Sequence, residues 1–127
     1  MIQANELRVG NLVQWGEKIV PIKSIHIESV LKNEVMVYVE INEKLPHYCL
    51  YIAEINPIPL TEEWLVKLGA ISNSYQDRYE FDVIHIECNK TRGVTELWIE
   101  RMPHIKYIHQ LQNLYFALTG QELPIKN

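Results

Sequence analysis

The chain has 127 residues, 47% hydrophobic and 22% charged, a composition that suits one globular domain and excludes wholesale disorder. Its 16 acids against 12 bases give a net charge of −4, which argues against general nucleic-acid binding, because backbone-phosphate binders carry a basic footprint. Only Cys49 and Cys88 are present, the first residues hold no apolar signal core, and no apolar run approaches the roughly 18 residues of a membrane span, so the expectation is a reduced, cytoplasmic protein without membrane contact.

Strands and turns alternate through the first half. Residues 11–15 lead to Gly16, and residues 18–28 carry the apolar Ile19, Val20, Ile22, Ile25 and Ile27. Lys32-Asn33 suits a turn before residues 34–41, where Val35, Val37 and Val39 share one face at a period of two. Tyr48 to Ile52 is a further short strand. Small curled strands opening with Leu7-Arg8-Val9-Gly10-Asn11-Leu12-Val13 suggest an SH3-like barrel or a strongly bent sheet. Asn56-Pro57-Ile58-Pro59-Leu60 then breaks regular structure, since proline fixes φ and removes backbone donors, and this segment reads as a hinge inside one domain. Thr61 caps a short helix whose first turn holds Glu62 and Glu63; Trp64, Leu65 and Leu68 form its apolar face, and Gly69 ends it.

The second half returns to strand over 78–88. Tyr79, Phe81 and Val83 lie on one face, Ile84 and Ile86 at the opposite parity, which implies a bulge near Val83-Ile84 or a strand buried on both sides. Residues 89–93 make a hairpin loop into a strand over 94–101. The closing helix follows Met102-Pro103-His104. At about 100° per residue, Tyr107, Ile108, Leu111, Leu114, Tyr115 and Leu118 fall within roughly 120°, and Thr119-Gly120 supplies a left-handed stop. Phe116 projects almost opposite, beside His109 and Asn113. Either neighbouring strands cover Phe116, or it lies with Asn113 at a homo-oligomer interface, where aromatics are enriched.

Three segments, at residues 5–13, 55–65 and 109–120, occur in an order that resembles a family of small, functionally uncharacterised proteins of phages, prophages and genomes of gut Bacteroidetes. The resemblance implies a phage-related setting and carries over no activity and no site residue.

Candidate chemistry is sparse. Ile25-His26-Ile27-Glu28 recurs as Ile84-His85-Ile86-Glu87, which on a strand sets His and Glu on one face about 7 Å apart. Such faces can hold a metal or an acid–base pair, yet the Pro-Cys-x-x-Cys of zinc deaminases is missing and a solvated strand face explains the alternation. His47 and Cys49 share a face but fall short of a zinc ligand set, so no metal and no cofactor is expected. Neither a Gly-x-Ser-x-Gly elbow nor a glycine-rich phosphate loop occurs. The most suggestive polar set is Lys90, Arg92, Arg101, His104, Lys106 and His109, with Tyr107 or Phe116 available to stack on a ring. If the hairpin loop and the start of the last helix meet, these cations grip a phosphate or carboxylate; otherwise they face solvent.

The expectation is therefore a single α+β domain over 1–127: a bent antiparallel sheet, SH3-like in its N-terminal part, with a short middle helix and a packed C-terminal helix. Its expected function is non-enzymatic binding, by a homo-oligomer, of a small anionic nucleotide-like ligand such as a host defence signal, through Lys90, Arg92, Arg101, His104, Tyr107 and His109. The alternative is a protein–protein adaptor or inhibitor acting through an exposed aromatic surface. Arginine and aromatics walling a pocket favour the first, a flat apolar patch the second. A carboxylate or histidine aimed into such a pocket points to an enzyme instead.

Overall fold

The computed structural model describes residues 2, 4–29, 34–39 and 48–125. The expected turn at Lys32-Asn33, the strand's continuation to Ile41, His47 and the Glu28 side chain lie outside the described residues. Two compact units succeed one another, Met1–Ile58 and Pro59–Asn127, and the boundary falls within the proline-interrupted segment. The fold is α+β with a C-terminal helix, as expected, and each unit holds one four-stranded antiparallel sheet. Among the described residues no helix is long and apolar enough to cross a membrane.

The N-terminal unit is built from β1 (Leu12–Trp15), β2 (Lys18–Ser29), β3 (Glu34–Val39) and β4 (Tyr48–Tyr51), paired in chain order. Gly16 and Glu17 turn β1 into β2, and Gly16 takes a φ of 60° that an L side chain resists. Alternation holds where it was read: Val35, Val37 and Val39 are all buried. In β2 the inward parity passes from Val20 and Ile22 to Ile25, because a register shift between Ile22 and Ser24 inserts a residue. After a 3-10 turn at Ile52–Glu54, Asn56 returns to β1, exchanging backbone hydrogen bonds with Gln14 at 2.8 and 2.9 Å. Val13, Val20, Ile22, Val37, Val39, Leu50 and Ile55 form the core, each side chain contributing about 1.5–3 kcal/mol by burial.

The C-terminal unit contains α1 (Glu62–Lys67), β5 (Ile71–Asn73), β6 (Arg78–Glu80), β7 (His85–Thr91), β8 (Val94–Trp98) and α2 (Ile108–Thr119). Thr61 caps α1 as expected, its hydroxyl accepting from the Trp64 amide at 3.2 Å. Residues 78–88 are not one bulged strand. The chain reverses at Phe81–Ile84, closed by a 2.8 Å bond from the Phe81 amide to the Ile84 carbonyl, so the change of parity marks a turn between β6 and β7. The β7–β8 connection is the two residues Arg92 and Gly93, with φ of 53° and 77°, and Asn89 to Thr91 belong to the strand.

In α2 the Gln110 side chain accepts from the Lys106 and Tyr107 amides, and Gly120, at φ 74°, donates to the Phe116 carbonyl at 2.8 Å. The buried residues are Ile108, His109, Leu111, Gln112 and Tyr115, while Leu118 is 54% exposed. This face is rotated from the stripe expected: a helical wheel sees polarity, whereas burial follows the neighbours the helix meets. Phe116 stays on the outer side, 38% exposed, and Asn113 is half-buried.

Candidate functional site

Strand alternation divides the side chains of the second sheet. Tyr79, Ile86, Cys88, Lys90 and Leu97 take one parity, Arg78, Glu80, His85, Glu87 and Trp98 the other, as the registers Arg78↔Glu87↔Trp98 and Tyr79↔Ile86 require. Toward the first face α1 projects Glu62. A single oxygen of that carboxylate, Oε1, accepts from the Lys90 ammonium at 2.9 Å, the Tyr79 hydroxyl at 2.9 Å and the Cys88 thiol at 3.7 Å. The hydrogen bond from Lys90, then that from Tyr79, holds the Glu62 carboxyl below its usual range. Burial, and then the bond to Glu62, raises the Tyr79 phenol; burial and the Glu62 charge raise the Cys88 thiol. At neutral pH the knot is therefore an ionised carboxylate ringed by protonated donors, and Cys88 is no thiolate nucleophile. A polar cleft of about 270 Å³ opens beside it, lined also by Asn73, Asp77 and Asn89.

On the opposite face a second recess, of about 610 Å³, lies past the end of β8 and is lined by Glu87, Trp98, Ile99, Glu100, Arg101 and Pro103. Ile99 and Met102 bridge across a tight turn, closed by a 3.0 Å bond from the Met102 amide to the Ile99 carbonyl. Arg101 inside that turn has φ 66°, left-handed backbone that costs an L residue about 1–2 kcal/mol. The Trp98 indole is 39% exposed, a large aromatic at a solvent-facing position. Glu87 is partly neutralised by Arg78, 3.4 Å away, and the other arm of that guanidinium donates to His85 Nδ1 at 3.1 Å. The echoed His85-Ile86-Glu87 is thus half solvated face and half ion pair. Among the described residues no group of three or more His, Cys, Asp or Glu side chains is arranged to hold a metal.

The six residues expected to bind one anion are dispersed. Lys90 lies in the polar cleft, engaged by Glu62, and Arg92 is exposed at the tip of the β7–β8 hairpin. Arg101 and His104 follow the other end of β8, whose five residues span roughly 14 Å. His104 is exposed. Tyr107 is half-buried at the cap of α2, its ring stacked on that of His109 at 6.0 Å, and His109 itself is fully buried, which withdraws it from any solvent-borne ligand. Arg101 lines the same recess as the exposed Trp98.

Sequence reasoning missed Trp98, Glu87 in its paired role, and the Glu62–Tyr79–Cys88 grouping. Trp98 carried a usable signal, because alternation with the half-buried Leu97 places it on the outer parity of β8. The Glu62 grouping carried none, since its members come from a helix and two strands. No protein-family model matches the chain, and no curated protein and no solved structure matches it.

Proposed function

We propose that this chain is a non-enzymatic binding protein that takes a small anionic, nucleotide-like ligand in the recess between Trp98 and Arg101. One observation carries the reading: an exposed indole and an arginine wall the same hollow, flanked by carboxylates. A base or similar flat ring stacks on Trp98, Arg101 forks to a phosphate or carboxylate, and Glu87 and Glu100 accept from sugar hydroxyls or an exocyclic amine. Binding is favoured over catalysis because Glu62 is held ionised and Tyr79 and Cys88 protonated, leaving none of the three poised for proton transfer near neutral pH. The resemblance to phage and prophage proteins supports a cytoplasmic setting in which the ligand is a host defence signal. Assembly as a homo-oligomer through the outer side of α2, around Phe116 and Asn113, belongs to the same proposal.

Calorimetry of the purified protein against cyclic and ADP-ribose-type nucleotides tests it. A panel member binds, and Arg101→Ala or Trp98→Ala weakens binding by roughly tenfold to a hundredfold at unchanged melting temperature, as expected from losing one charge-assisted or stacking contact. Absence of heat from every panel member refutes the ligand reading, and binding indifferent to both substitutions refutes the site.

A further inference from the structure

The β5 edge of the second sheet is unpaired. β5 bonds only to β6, and among the described residues no backbone hydrogen bond reaches Ile71, Ser72 or Asn73 from the other side. Ile71 on this edge is 71% exposed, and Tyr75, at the tip of the hairpin that β5 opens, is 99% exposed. An exposed aliphatic and a fully exposed tyrosine on one hairpin serve no packing purpose inside the unit.

At the start of β5 lies an apolar recess of about 270 Å³, floored by Leu68, Phe81, Tyr115 and Leu123 and rimmed by Glu80 and Asp82. Among the described residues the Glu80 carboxylate receives a single 3.4 Å contact, from the Asn73 amide group, and Asp77 adds a third carboxylate at the far end of the hairpin. Arg78, the cation of this hairpin, is committed to Glu87 and His85. Among the described residues the edge therefore combines free backbone donors and acceptors, a pocket for one apolar side chain, and negative charge without a cationic partner.

We propose that the β5 edge accepts an extended basic segment of another protein as a fifth strand. Main-chain bonds to Ile71–Asn73 supply adhesion, one apolar side chain of the segment fills the recess, and lysine or arginine on its alternate positions faces Glu80, Asp82 and Asp77. A second copy of this chain is the poorer occupant. Its own β5, Ile71-Ser72-Asn73, carries no lysine or arginine to set against Glu80, Asp82 and Asp77.

The probes are two eight-residue peptides of alternating valine with lysine or with glutamate, added to the full chain and followed by fluorescence anisotropy and amide hydrogen exchange. The lysine peptide binds at least about tenfold more tightly than the glutamate peptide at low salt, as charge complementarity requires. It slows exchange at Ile71–Asn73 and leaves β8, the opposite edge, unchanged. N-methylation of the peptide on its pairing side weakens it by about tenfold, a loss on the scale of one or two backbone bonds. The double reversal Glu80→Lys with Asp82→Lys inverts the preference between the peptides, and the exchange pattern of the parent protein gives the same answer without any variant. Equal binding of the two peptides, protection on β8 instead, or indifference to N-methylation overturns the proposal. Protection of β5 that appears on concentrating the protein alone assigns the edge to a second copy and overturns the basic partner.

Discussion

Replacing Arg101 separates backbone strain from ligand contact at one position. Its φ of 66° costs an L side chain about 1–2 kcal/mol, and glycine escapes that cost while losing about 0.5–1 kcal/mol more chain entropy on folding. Arg101→Gly should therefore stabilise the C-terminal unit by about 0.5–1 kcal/mol. Arg101→Ala keeps the strain and, because the side chain is exposed, should stay within about 0.5 kcal/mol of the parent. For a unit of about 70 residues the glycine variant gains roughly 2–8 °C in unfolding midpoint, readable by scanning calorimetry. Both variants lose the guanidinium, worth about 1.5–3 kcal/mol in charge-assisted bonds to an anion, so titration calorimetry should show each binding nucleotide tenfold to a hundredfold more weakly. A glycine variant no more stable than the alanine variant refutes the strain reasoning. Parental affinity in both removes Arg101 from the site.

Arg92→Asn should stabilise by about 0.5–1 kcal/mol in urea, since asparagine tolerates the left-handed first position of the hairpin turn, and should leave nucleotide affinity unchanged because Arg92 lies beyond the other end of β8 from the recess. Glu62 has a folded pKa below its ordinary 4.5, so its stabilisation is present above that value and disappears as pH falls through the folded pKa. Glu62→Gln should flatten the acid limb of a urea-midpoint profile, and parallel limbs in parent and variant would contradict the Lys90–Glu62–Tyr79 linkage. Tyr79 is shifted the other way, so its contribution is complete below its ordinary 10.0 and is lost as pH rises through the raised folded value; the same variant should shrink that alkaline loss. Leu111→Ala, at a fully buried position of α2, should cost about 2–5 kcal/mol, and a loss under about 1 kcal/mol would contradict its place in the core. If copies associate through α2, Phe116→Asp lowers the mass measured by light scattering; an unchanged oligomer places the contact elsewhere.

Local chemistry was legible in the sequence and distant encounters were not. Val35, Val37 and Val39 announced their common face, Thr61 its cap and Gly120 its stop, because each is decided within a few residues. β5 was invisible: Ile71-Ser72-Asn73 is too short to display a period. The reversal at Phe81–Ile84 has no glycine, proline or asparagine to mark it, so two strands read as one. His109 and Gln112 are polar yet buried, while Leu118 is apolar yet exposed, and no wheel anticipates neighbours that arrive from elsewhere in the chain. The same limit hid the site. Spacing brought Lys90 and Arg101 into one candidate set, and the length of β8 set them apart.

The exchange of hydrogen bonds between Gln14 and Asn56 bears on how the protein is made. A ribosome releases residue 14 long before residue 56, so the first strand emerges with one edge unsatisfied and waits for some forty further residues. Ile55, a core side chain of the same unit, arrives equally late. Contacts this distant in sequence close slowly, and until they close Val13, Val20 and Ile22 are open to water and to chaperones. The N-terminal unit is thus expected to complete its fold only once its own final residues have cleared the exit tunnel, and a stalled chain ending before Ile55 is expected to remain protease-sensitive throughout.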